Sequence, residues 1–407
     1  MFRIRDYHLH LPHITFDNTK DLRLLYAVRV FRDLGNKMAM FFLPVYLYLV
    51  GSTATALEGL PFSSFQRGMI VLALFYIGFG SIGFFIGIPT GKLYKKIGYQ
   101  RTFLFSFLLR CLFFVSVFFA KQNIWFLVPA VILDAINAQM FWPGYYSLIS
   151  KNSLKKNLGK DVGFLHTMIQ IVAVIAPAIS GFLALVLGIE VLFLVGLVLT
   201  LVSAIFTFNM QSKTSINAVS YKDFFVWMKE TRFRQLAASF SGKYVYDVSV
   251  YIWPLYIFLL LGSVDRVGYL YTVSLFLAMA ITYFTGSYID NHKSKKPFYF
   301  SGGILSLVTV LRAQVATVVG IALVDLADRL ISNVYTVYFD TMFMLRSKGH
   351  SVDEFFIYRE MVVNVATVIF WLFALVFFIF FSGWTSLYVF AGIGVLVGLL
   401  MKDSKHE

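Results

Sequence analysis

Two long apolar runs of this sequence are interrupted by charges in the same rhythm. Asp33 and Lys37 stand eleven and seven residues before Pro44; Lys243 and Asp247 stand eleven and seven before Pro254, with the signs reversed. Each pair is spaced i, i+4 and can close within one helix. A second matched set is Asp134 with Asn137 and, 191 residues on, Asp325 with Asp328. Arg329, Ser332, Asn333 and Thr336 continue the latter as one helical stripe, the pattern of a helix facing a polar cavity or a bundle interior. An ionised side chain in such a run costs about 2.5 to 3.5 kcal/mol at mid-bilayer, so it needs a partner or water. A carboxylate there with variable access to water can take up and release a proton. Asp33, Asp134 and Asp328 are the candidates for that chemistry. Asp325 can pair with Arg329 one turn on, which predicts Asp328 as the freer acid. Asn137, Gln139, Trp142, Tyr145, His166 and Gln170, with Asp325, Arg329 and Asn333, are candidates to line a cavity. Arg110, Arg312, Arg359 and Glu360 are read as structural, the last two being adjacent and not expected to face each other on a helix.

The elements that position these residues are membrane spans. The 407 residues are 59% hydrophobic and 14% charged, against roughly a quarter charged in soluble domains. Apolar runs of about twenty residues recur throughout, each long enough to cross a bilayer core as a helix. Runs such as 192–208 do not alternate polar with apolar, which excludes a β-barrel. Twelve helices are predicted, at 24–51, 68–92, 101–120, 124–149, 162–188, 190–210, 235–262, 267–290, 297–314, 316–345, 353–381 and 384–402.

The net charge of +14 does not point to nucleic acid, because the basic residues cluster at alternate loops. They crowd the loops on the side of both termini, whereas the opposite loops carry Arg67, Lys121 and Arg266. That asymmetry predicts both termini in the cytoplasm. Cys111, the single cysteine, cannot form an intramolecular disulfide. His8, His10 and His13 have no second ligand cluster beside them, so no metal site or cofactor is expected.

The chain is duplicated. Pro44 on Pro254 is an offset of 210 residues, and around both lie an aromatic or aliphatic run, a tyrosine two residues on and a Gly-Ser pair, Gly51-Ser52 and Gly262-Ser263, read as stops. The predicted organisation is a cytoplasmic tail 1–23, a six-helix bundle 24–210, a linker 211–234, a second bundle 235–402 and a tail 403–407. In the linker, Tyr221, Phe224, Phe225 and Met228 fall at helical spacing beside Lys222, Asp223, Lys229 and Glu230, which predicts an amphipathic helix on the inner membrane surface.

The loop after the second span, Gly91-Lys92-Leu93-Tyr94-Lys95-Lys96-Ile97-Gly98-Tyr99-Gln100-Arg101, matches Gly286-Ser287-Tyr288-Ile289-Asp290 after the eighth. With the span count, the central linker and this loop, the chain resembles the major facilitator superfamily of secondary transporters. Gly91, Gly98 and Arg101, and Gly286 and Asp290 in the second copy, match its loop signature; Lys95 stands where the family usually has aspartate. The resemblance implies an all-α integral membrane protein of two six-helix bundles related by a pseudo-two-fold axis. That axis would set Asp33 level with Lys243 and Lys37 level with Asp247, making the four a gate that exchanges partners between the halves. It also implies a small organic solute moved by alternating access, an amphipathic drug-like cation fitting a cavity of acids and bases equally well, with protons as the coupling ion, a monomer among membrane lipids, and a site in the bacterial cytoplasmic membrane. Ala176-Pro177-Ala178-Ile179-Ser180-Gly181 looks like the end of a drug/proton antiporter signature, a mild pointer to export. Lys95 leaves open a receptor or lipid scramblase without coupled transport. No motif of a membrane-embedded enzyme is present.

Overall fold

The computed structural model describes residues 20–152, 158–210, 219–274, 276, 295–347, 351–381 and 383–401, without the side chains of 20–22, 152, 158–167 and 170. The tails, the histidines at 8, 10 and 13, Gly286, Asp290 and the side chains of His166 and Gln170 lie outside the described residues. Among these residues the chain is all helix and turn, and its helices assort into two halves of six spans.

The first span is two helices, α1 (Lys20–Ala39) and α2 (Leu43–Thr53), parted at 40–42. Pro44 sits at the start of α2, where its missing N–H costs nothing and the chain has already left the helix at its i−4 residue. α3 (Ser64–Phe119) carries the second and third spans, separated by Gly98 at φ +80°, ψ 172°. The predicted loop 92–101 is thus mostly helix, broken at the single residue whose backbone requires glycine. α4 (Leu127–Asn152), α5 (Leu158–Leu187) and α6 (Glu190–Phe208) complete the first half.

The linker helix α7 (Tyr221–Lys229) is capped by Ser220, whose hydroxyl accepts from the Asp223 amide. It is more than a surface helix. Phe224 is buried against Phe84 and Tyr358, and the Tyr221 hydroxyl donates to the Phe85 carbonyl at 2.5 Å, so one side of α7 is fastened to both halves. Phe225 and its neighbour Val226 are the exposed large apolar side chains of this helix.

In the second half, α8 (Thr231–Leu261) runs unbroken through Pro254 and ends at Gly262, which takes the left-handed φ of +69°. α9 (described over 264–274), α10 (Lys296–Leu311), α11 (Val318–Ser347), α12 (Val352–Phe380) and α13 (Trp384–Gly398) follow. The duplication survives with local differences. Gly262 is a true stop, but Gly51 lies within α2, where a Cβ would come within 2.7 Å of Val71; it is a packing glycine. The repeated tyrosines keep one role, Tyr46 donating to the Val117 carbonyl at 2.8 Å and Tyr256 to that of Val315 at 3.0 Å. Each ties the first span of its half to the far end of the third. α11 is the long helix too charged to count among the six long, apolar helices found in the described residues.

The halves meet along α3 and α12. Gly80, Gly83, Gly87 and Gly91 form one face of α3; a Cβ at Gly83 would lie 2.5 Å from Asn364 and one at Gly91 2.4 Å from Val219 and 2.8 Å from Ile357. Small residues let helix backbones approach where lipid supplies no hydrophobic drive.

Candidate functional site

The charges predicted to be functional all point into the bundle, most of them in pairs. In the first half, Asp33 is held by Arg29 at 2.5 Å, one turn before it, rather than by Lys37 one turn after. Both spacings satisfy the i, i+4 rule, and the guanidinium wins because it also lies on aromatic faces, 4.5 Å from the Trp142 ring centre and 4.9 Å from that of Tyr145. In the second half the predicted pair does close, Lys243 to Asp247 at 2.5 Å. Among the described residues none of the four gate candidates bonds across the halves in this conformation; Asp33, Lys243 and Asp247 are paired within their own helices.

Asp134 and Asp328 share a second arrangement. Arg110 of α3 donates to Asp134 and, at 2.6 Å, to the Asn36 side chain. Arg312, in the turn after α10, lies 2.7 Å from Asp328, which also accepts from the Tyr246 hydroxyl at 3.1 Å. Asn36 and Tyr246 are themselves 210 residues apart, the offset of the two prolines. Each half therefore pairs an aspartate of its fourth span with an arginine from its third, and a polar residue of its first span joins them, Asn36 through the arginine and Tyr246 through the aspartate. This corrects two expectations. Asp328 is not the freer acid: its pair with Arg312 is fully enclosed, whereas Arg329 reaches Asp325 only at 3.6 Å and the Trp253 indole donates to Asp325 at 3.1 Å. Arg359 and Glu360, though adjacent, do pair, because the long arginine curls back onto its neighbour.

Several cavity candidates are structural in this conformation. Asn137 donates to the Ser106 carbonyl at 2.6 Å and fixes α4 to α3. Gln139 and Tyr145 are buried in packing, and Trp142 lies under Arg29 and Arg32. Asn333 is half-buried on the inner face of α11. The open space lies along α8 instead. Asp247 has a side chain 37% exposed, and Tyr251 on the same face is 61% exposed. The electrostatic surroundings of the Tyr251 hydroxyl include Asp33 of α1 and Tyr146 of α4, so the hydroxyl lies toward the other half.

Both ends of that space are bridged. At the basic end Asp353, at the start of α12, accepts from Lys151 of α4 at 2.6 Å and from the Tyr99 hydroxyl, and the Ser150 and Ser347 hydroxyls meet at 2.9 Å. At the opposite end the Gln66 side chain donates to the Ile379 carbonyl at 3.0 Å, Phe41 packs on Tyr271, and Gly268 of α9 abuts Pro177 and Gly181 of α5. Lys95 is exposed. Across the seam from that loop, the Asp353 carboxylate accepts from the Tyr99 hydroxyl. Sequence reading passed over Asp353 and Lys151 because they end different helices two hundred residues apart; Arg29 was legible from its spacing to Asp33, but so was its competitor.

A polytopic bundle of two six-span halves, bridged at both ends around a polar interior, defines an integral membrane transport fold. The chain belongs to the Major Facilitator Superfamily, whose family model matches residues 25–327. Among solved structures it is similar to the human organic anion transporter MFSD10 (11% identity, TM-score 0.68, covering 94% of this chain and 99% of that one). It is also similar to the Escherichia coli fucose:proton symporter FucP (15% identity, TM-score 0.64, covering 93% and 97%). An outward-conformation structure of FucP gives the same identity and coverage at TM-score 0.65. Comparison with curated protein sequences finds no significant match.

Proposed function

We propose that this protein is a secondary active transporter that carries a small organic solute across a membrane by alternating access. The observation that carries the reading is the exposed face of α8, with Asp247 and Tyr251 turned to a polar space that contacts at both ends enclose. A solute held there would leave on either side once one set of bridges opened. The basic end is taken to face the cytoplasm, as the loop charges favour, and 24–210 and 235–402 are the two moving bodies, joined by the linker 211–234. The four charges Asp33, Lys37, Lys243 and Asp247 remain our gate in the sense that they flank the space from both halves and would re-pair as the halves rock.

Coupling to protons is proposed through Asp33. Asp134 and Asp328 are enclosed with their arginines, which suits a structural tie, whereas Asp33 adjoins the exposed Tyr251. Export is the favoured direction, on the strength of the Pro177–Gly181 segment alone. The receptor or scramblase reading rests on Lys95 and is the second reading. The test is flux in proteoliposomes: solute-driven proton movement supports the proposal, and lipid translocation without solute flux across a broad panel supports the rival.

A further inference from the structure

We propose that the carried solute is an organic anion, and that Lys37, a half-buried cation of the first span with no partner among the described residues, binds its carboxylate or an equivalent anionic group. This rests on the transport reading and names its substrate class. Interior charges are stabilised by partners, and nearly every interior cation here has one: Arg29 has Asp33, Arg110 has Asp134, Lys243 has Asp247, Arg312 has Asp328 and Arg359 has Glu360. Arg32, which lacks a carboxylate, rests 3.8 Å from the Phe141 ring centre and 4.8 Å from that of Trp142. Lys37 has neither. Among the described residues it makes no hydrogen bond, no ion pair and no contact with an aromatic face, and it is half-buried beside the central space.

The charges acting on Lys37 are those of Asp33, Arg29 and Arg329. The one carboxylate of the three is already taken by Arg29, so Lys37 lies in the field of two further cations, one from each half. Arg329 lies 4.5 Å from the Tyr271 ring centre and stands 3.6 Å from Asp325, but its Nε and Nη2 are buried without hydrogen-bond partners. An anion placed among these groups supplies the missing counter-charge, and the guanidinium of Arg329 offers it a two-pronged donor. The exposed ring of Tyr251 gives the organic body a surface to lie on. Because Lys37 and Arg329 belong to different halves, the bound anion draws the halves together, linking occupancy to closure. A cationic solute would add to an existing positive excess and is disfavoured.

The full-length purified protein is tested by thermal unfolding with benzoate, phthalate, glutarate and glucuronate, against benzamide, benzyl alcohol and benzylammonium as neutral and cationic counterparts. A ligand of the folded state raises the midpoint by mass action. At least one carboxylate should do so saturably and the counterparts should not. Lys37→Gln should weaken that binding about tenfold or more, Lys37→Arg should keep it, and Lys37→Met serves if the glutamine variant does not fold. The site is overturned if no carboxylate shifts the midpoint, if only neutral or cationic compounds do, or if the carboxylate shift survives in Lys37→Gln or Lys37→Met. The two readings fail separately. A carboxylate that binds through Lys37 but is not carried into liposomes overturns transport and leaves the site. Flux of a neutral or cationic solute indifferent to Lys37→Gln overturns the site and leaves transport.

Discussion

Asp33 is flanked one turn away on either side by Arg29 and Lys37, and nothing in the local pattern chooses between them. The choice is made by Trp142 and Tyr145, which lie under Arg29 from a different helix. It releases Lys37 and so sets the charge of the cavity. The enclosed pairs behave differently. Leaving Asp328 uncompensated should be costly, since breaking a buried pair typically destabilises by about 3 to 5 kcal/mol while replacing both partners with apolar groups is often neutral. We therefore expect Arg312→Leu to lower the unfolding midpoint in detergent sharply and Arg312→Leu with Asp328→Leu to recover most of it. Asp33→Asn, by contrast, should abolish solute-driven proton movement in proteoliposomes while leaving counterflow of solute intact; retained proton movement would remove Asp33 from the coupling role. That these acids lie inside the bundle was legible in the sequence, because a charge in a long apolar run has few places to go. Which base holds each acid was not, since Arg110 and Arg312 reach their partners from other helices.

At the scale of elements, the copies of one sequence pattern have diverged in structure. Pro44 begins a new helix after a break, whereas Pro254 rides within α8, so the first span can bend where its counterpart is continuous. The glycine face of α3 is a close seam between the halves, and a bulky side chain there has no space: Gly83→Leu should wedge α3 from α12 and lower both thermal stability and transport, while Gly303→Leu, at a position with open space around its Cβ, should lower neither. The bridge at the basic end should be conformationally selective. Asp353→Asn removes the charge held by Lys151 and Tyr99 together, and we expect labelling of cysteines placed at the basic end, in a Cys111→Ser background, to rise while labelling at the opposite end falls. Unchanged labelling at both ends would mean that this bridge does not bias the equilibrium.

For the whole molecule, the Ser150–Ser347 contact offers a direct check of rocking between the halves. Ser150→Cys with Ser347→Cys should cross-link under mild oxidation and arrest transport, and reductant should restore it; transport that continues in the fully oxidised protein would rule out separation at this point. Class and architecture were readable from the chain alone: composition and run length dictate membrane helices, and the offset between Pro44 and Pro254 marks two halves. These are properties of one residue or of its near neighbours along the chain, and the bilayer enforces them without reference to tertiary contacts. The pairing of the charges, the bridge that Asp353 makes across the seam and the isolation of Lys37 depend on helices far apart in sequence meeting at a given depth and rotation. Helical periodicity leaves that rotation open to within a turn, and side-chain packing between helices decides it.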